Sequence, residues 1–171
     1  FTTGEGARWL GLSIAELSNV DAALVVGSFL RKDHPLFAAR LRQAAKRGAF
    51  ISAIGATNDD WLVTLKQRIT VAPSAWAQAL GDVAVAVANQ LGLDIPCNGT
   101  ATDAAKAIAD SLISGERKVV LLGNAAAQHP QASSLQALAQ WIASTTGAKL
   151  GFLSEAANTV GAQLVGAQPQ S

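Results

Sequence analysis

The sequence predicts an α/β fold: a parallel sheet in a Rossmann-like, three-layer arrangement built from two related βαβ units. Three observations predict it. Short apolar runs rich in β-branched residues stop at glycine, as buried strands do. Between them lie stretches whose apolar residues recur at spacings of three and four, the period of a helix with one inner face. The order then repeats. Leu24-Val25-Val26-Gly27, His34-Pro35, Gly48 and Phe50 to Ile54 match Val119 to Gly123, His129-Pro130, Gly147 and Lys149 to Leu153.

Val20 to Gly27 reads as the first strand. Pro35 to Arg47 reads as a helix with Pro in its first turn, an inner stripe of Phe37, Leu41 and Ala44/Ala45, and a glycine cap at Gly48. Ala49 to Ile54 is the second strand, so a right-handed crossover joins parallel partners. Lys66 to Val71 reads as a third strand closed by Pro73. Ser74 is placed to cap a helix reaching Gln90, with Trp76, Leu80, Val83, Val87 and Leu91 on one face. Asp103 to Ser114 reads as a helix with Ala105, Ile108 and Leu112 inward. Strand Val119 to Gly123, a helix carrying Leu135, Leu138 and Ile142, and strand Lys149 to Leu153 complete the pattern. Residues 93–102 are dense in Gly, Pro, Asn and Thr, which suggests a linker between a lobe of residues 1–92 and a lobe of residues 103–171 sharing one sheet.

With 171 residues, half of them apolar, the chain can bury roughly two thirds of its unfolded surface. The net charge of +1 argues against a nucleic-acid binder, which needs many cations on one face. The basic run Arg40, Arg42, Lys46 and Arg47 reads as a solvated helix face. Cys97 is the only cysteine, so neither an internal disulfide nor a cysteine-held metal or iron–sulfur centre is expected. A reducing, cytoplasmic setting fits, and Asn98-Gly99-Thr100 reads as a chance glycosylation sequon. No run of about 18 apolar residues is present, so no direct membrane insertion is expected. The start Phe1-Thr2-Thr3 suggests a piece of a longer protein.

Ligands of parallel α/β sheets bind beyond the carboxyl ends of the strands. Gly27, Ser28, Gly123 and Asn124 are therefore the cleft candidates, each pair ahead of a helix start. Neither GxGxxG nor GxxxxGK[ST] occurs, and Phe29 and Leu30 are bulky where a phosphate loop needs small residues. The second strand ends in Ala53-Ile54-Gly55-Ala56, without the acidic residue that grips a ribose; Asp59 and Asp60 read as turn or capping residues. His34 and His129 admit an acid–base reading, but no nucleophile or second metal ligand accompanies them. They read better as helix-start devices whose rings satisfy nearby backbone. Asn158 and Gly161, within Glu155 to Gly166, either line a pocket or form a tight turn.

The stretch VDAALVVGSFLRKDHPLFAARLRQAAKRGAFISAIG resembles the signature βαβ unit of the molybdopterin oxidoreductases, which include formate dehydrogenases. The order RKVVLLGNAAAQHP, then SEAANTVGAQLVGA, resembles one branch of that family, the large iron–sulfur subunit of respiratory NADH–quinone oxidoreductase (complex I). The resemblance covers most of Asn19 to Gln168. It implies a formate dehydrogenase/DMSO reductase domain-like fold. Cofactor-binding members place Asn-Pro after the strand glycine, where this chain has Ser28-Phe29, and an acidic residue with Pro-Arg where it has Gly55-Ala56-Thr57. Both departures remove groups that would hold a pterin dinucleotide.

The resemblance thus implies a non-catalytic segment with no cofactor of its own, within a parent protein that carries its iron–sulfur clusters elsewhere. The implied partners are the remainder of that polypeptide and the other subunits of the NADH–quinone oxidoreductase peripheral arm, at the cytoplasmic face of the inner membrane. Two alternatives stay open: a portion of a molybdopterin-dependent oxidoreductase, and a Rossmann-type nucleotide-binding module.

Overall fold

The computed structural model describes residues 9–154, 156 and 158–167. Five strands form one all-parallel sheet in the order β3-β2-β1-β4-β5: β1 Ala22–Val26, β2 Phe50–Gly55, β3 Gln67–Thr70, β4 Lys118–Leu122 and β5 Lys149–Phe152. The helices are α1 Leu30–Asp33, α2 Pro35–Lys46, α3 Trp76–Leu91, α4 Asp103–Ser114, α5 Asn124–Ala127, α6 Ala132–Thr146 and α7 Thr159–Leu164. None among the described residues is long and apolar enough to cross a membrane.

Handedness fixes the layers. Right-handed crossovers that run outward from β1 and from β4 in opposite directions must place their helices on opposite faces. Alternation along β1 shows this. Ala22, Leu24 and Val26 share a core with Val120 and Leu122 beneath α3, α4 and α6. Ala23 and Val25 face the other way, with Ile51, Ala53, Val119 and Leu121 beneath α2 and a 3-10 turn at Glu16–Asn19. All five β1 residues are buried, as a strand covered on both faces requires.

Several helix ends follow the sequence reading, and others depart from it. Pro35 opens α2, and Gly48 follows its end at φ +94°. Thr102 caps α4 by accepting from Ala105 N at 3.2 Å. Ser74, however, does not cap α3. It lies in a 3-10 turn at Pro73–Ala75, and α3 starts at Trp76 without a side-chain cap. Leu91 is 41% exposed rather than inward, because α3 ends there at left-handed Gly92. Pro130 stands in a turn, and α6 begins only at Ala132. Two short helices, α1 and α5, follow the two strand glycines and are not legible as elements in the sequence.

Residues 93–102 carry no helix or strand, and they dock on α3. Thr100 N donates to Asp82 Oδ1 at 2.8 Å, and Cys97 Sγ lies 3.7 Å from Gly81 O. The outer edge of β5 is covered by an earlier segment of the chain. Phe152 N donates to Trp9 O at 2.9 Å, and Gly11 and Gly151 let the two backbones close on each other. A cover over an edge strand removes a template for aggregation.

Ion pairs join distant segments at the amino end of the sheet. Arg117 grips Asp21 through Nη2 at 2.8 Å and Nε at 3.2 Å, and Lys149 Nζ meets Glu16 Oε1 at 3.2 Å. The Arg117 hydrogen bonds hold the Asp21 carboxyl below the usual range. The Ser13 backbone and hydroxyl, helped by Lys149, pull Glu16 from 4.5 to about 2.

Candidate functional site

The strand order reverses between β1 and β4, and this is where a parallel sheet opens a crevice at its carboxyl edge. Gly27-Ser28 and Gly123-Asn124 form its two lips. The structure brings these lips into contact. Gly123 N donates to Val26 O at 2.8 Å, and the Gly27 carbonyl accepts from Ala125 N at 3.1 Å and Ala126 N at 3.3 Å. Gly27 adopts φ +60°, and a Cβ there would lie 2.8 Å from both Ala126 N and the Trp76 ring. A Cβ on Gly123 would fall on the Gly27 carbonyl oxygen and the Ser28 Cβ.

Anion sites at helix starts depend on free N–H groups. At α5 the chain's own carbonyl takes two of them, so two of the amides a phosphate would use are already bonded. Trp76 fills the space beside them. It begins α3 at the carboxyl edge, is 4% exposed, and has its ring 5.7 Å from that of His129.

The two histidines, equivalent in sequence, differ in place. His129 is half-buried, and its Nδ1 accepts from Gln131 N at 3.0 Å, as the helix-start reading expects. His34 lies between α1 and α2, stacked on Phe37 at 5.4 Å. Its Nε2 is buried with no partner among the described residues, contrary to the expected backbone bond. Ser28 Oγ is buried and likewise unpartnered among them. Asn124 is the half-buried first residue of α5. Asn158 is exposed, and its amide packs over Gly161. Glu155 and Ala157 of the same motif lie outside the described residues.

Burial pushes the His34 pKa below its ordinary 6.5, partly opposed by Asp33. An unfolded chain therefore takes up this proton at higher pH than the folded one. Stability from His34 is complete above about pH 6.5 and falls on acidification through that value. The thermal midpoint is expected to drop between pH 7.5 and 5.5, and His34→Gln is expected to flatten that slope. An identical slope in the variant would exclude His34 as the cause. Asp21 and Glu16, with lowered values, act in a separate window: their contribution is present above their ordinary values of 3.8 and 4.5 and is lost only in stronger acid.

A second, polar groove of about 420 Å³ lies on the α2 side, lined by Phe29, Arg31, Lys32, Asp59, Asp60 and Trp61. Arg68 braces the turn that supplies Asp59. It donates to Thr57 O, Asn58 Oδ1 and Asp59 O, and lies 5.4 Å from the Trp61 ring centroid. Asp59 and Asp60 are turn residues as expected, accepting from Thr57 Oγ1 and Leu62 N, each at 2.7 Å. Among the described residues, no three His, Cys, Asp or Glu side chains are placed to share a metal ion.

Trp76 and Arg68 escape the sequence reading. Trp76 is visible there only as one member of an apolar helix face. Its position directly after the third strand, at a helix start, is the available signal that it reaches the crevice.

A family model described as molybdopterin oxidoreductase matches residues 2–171. Among solved structures, a chain of the formyltransferase/hydrolase complex (FhcABCD) from Methylorubrum extorquens, in complex with methylofuran, matches with a TM-score of 0.56 and 18% identity. The match covers 95% of this chain and 46% of that one, so this chain spans less than half of that protein's length. At such identity the likeness is one of fold alone. A search of the curated proteins returned no match.

Proposed function

The chain belongs to the molybdopterin oxidoreductase family, and on that premise we propose that it is a scaffold segment whose own groups close the family's cofactor crevice. The observation that carries this reading is the closure itself: the Gly27 carbonyl on the first amides of α5, with the Trp76 ring packed alongside. The residues present do not fit a pterin dinucleotide at this point. A phosphate at α5 would have to displace a carbonyl from two N–H groups, and an aromatic ring fills the adjoining space. Ser28-Phe29-Leu30 supplies one buried hydroxyl at the position given to Asn-Pro in cofactor-binding members of the family.

The finer assignment is the large iron–sulfur subunit of an NADH–quinone oxidoreductase, supported by the order of RKVVLLGNAAAQHP and SEAANTVGAQLVGA. In that setting the segment packs against the remainder of its own polypeptide and the sister subunits of the peripheral arm, at the cytoplasmic face of the membrane. Clusters would be held by cysteines outside these 171 residues, since Cys97 is the only one here. Calorimetry of the intact parent protein with pterin dinucleotide, GDP and NADH is expected to give flat traces. Micromolar affinity at this crevice for any of the three would overturn the closed-crevice reading and favour a nucleotide-binding module.

A second reading, part of a molybdenum- or tungsten-bearing oxidoreductase, draws on two buried polar atoms, Ser28 Oγ at a lip and His34 Nε2 between α1 and α2, that no described protein group satisfies. Metal analysis of the parent protein separates the two. Iron without molybdenum or tungsten is expected.

A further inference from the structure

Trp76 has a feature that closure alone does not explain. Buried indoles ordinarily find a partner for their N–H. Among the described residues, no protein group accepts from Trp76 Nε1, although the atom is sealed from solvent. The polar end of the side chain therefore does not account for its presence. What the site uses is a flat apolar surface, set against Gly27 at the end of β1 and near the His129 ring in the turn after α5. Gly27 must be glycine for the ring to come this close.

From these contacts we infer that the Trp76 indole is the resident occupant of the switch-point crevice, a side-chain plug standing where this fold class holds a ligand. The inference rests on the reading of a crevice closed by its own chain. It has a chemical consequence: without the ring, the crevice is an apolar slot that accepts a flat bicyclic molecule from solution. Because no described group accepts from Nε1 where the ring lies, indene, which lacks the N–H, binds in that pose at least as tightly as indole.

The test is Trp76→Ala in the intact chain, with indole and indene as probes. The variant is expected to melt roughly 10 °C lower. Both probes are expected to bind it and recover much of that shift, and neither to bind the wild type. An unchanged midpoint, equal binding to both proteins, or binding of indole but not indene would overturn the plug. If the variant does not fold, hydrogen exchange at the Trp76 indole of the wild type decides. Exchange only on global unfolding supports the plug; exchange as fast as at Trp9, which is 53% exposed, overturns it. Probe failure while the wild type ignores pterin dinucleotide, GDP and NADH counts against the plug alone. Wild-type binding of one of those three in the crevice removes the closed crevice and the plug together.

Discussion

Val26→Asp is expected to abolish cooperative folding. Val26 is 0% exposed in the central strand, flanked by Ile54 on β2 and Leu122 on β4. Its side chain lies in the core beneath α3, α4 and α6. An unpaired carboxylate there either stays charged at a cost of several kcal/mol or is forced to take up a proton. Either outcome consumes a large part of a stability typically about 5–15 kcal/mol in all. Val26→Ala, which removes only methyl groups, is the matched control; it is expected to keep a cooperative transition at a lower midpoint. Circular dichroism melts of both variants check this. A Val26→Asp melt like the wild type's would show that the strand is not buried where the sheet places it.

Gly27→Ala, compared with Gly48→Ala, measures how firmly the crevice is shut. Both glycines have positive φ, +60° and +94°, so each alanine bears the left-handed penalty of about 1–2 kcal/mol. They differ in surroundings. A Cβ on Gly48 meets nothing within 4 Å, whereas one on Gly27 meets Ala126 N and the Trp76 ring at 2.8 Å. Ala126 N is backbone and cannot turn aside. Overpacking adds roughly 1–3 kcal/mol, so Gly27→Ala is expected to cost about 2–5 kcal/mol in all. Denaturant titration gives the difference between the two variants. If they lose equal stability, the lips of the crevice are not in contact, and the closed-crevice reading fails with them.

Both variants probe a region whose importance is only half visible in the sequence. The strands are legible because β-branched runs ending in glycine have few other uses, and β1, β2 and β4 stand close to where those runs lie. Gly27 and Gly123 stand out as lips for the same reason. The fate of the lips is not legible. Capping of α5 by the Gly27 carbonyl joins residues about a hundred positions apart, and α5 itself is too short to show a helical period. The two His-Pro pairs look equivalent, yet of the two rings only that of His129 finds a backbone partner among the described residues. Their difference comes from their neighbours: Phe37 stacks on one ring and Trp76 lies near the other.

The sequence by itself determined the fold class, the repeat of two βαβ units, the family and the absence of cluster-ligating cysteines from these residues. Each of these depends on local composition, spacing or motif order, which a linear reading carries in full. Tertiary structure alone decided that β1 and β4 are neighbours, that the Gly27 carbonyl takes two amides at the start of α5, and that the Trp76 ring packs alongside Gly27. Those facts depend on which distant surfaces meet, and packing selects the meeting through shape: a ring can lie against a strand end only where a glycine leaves room.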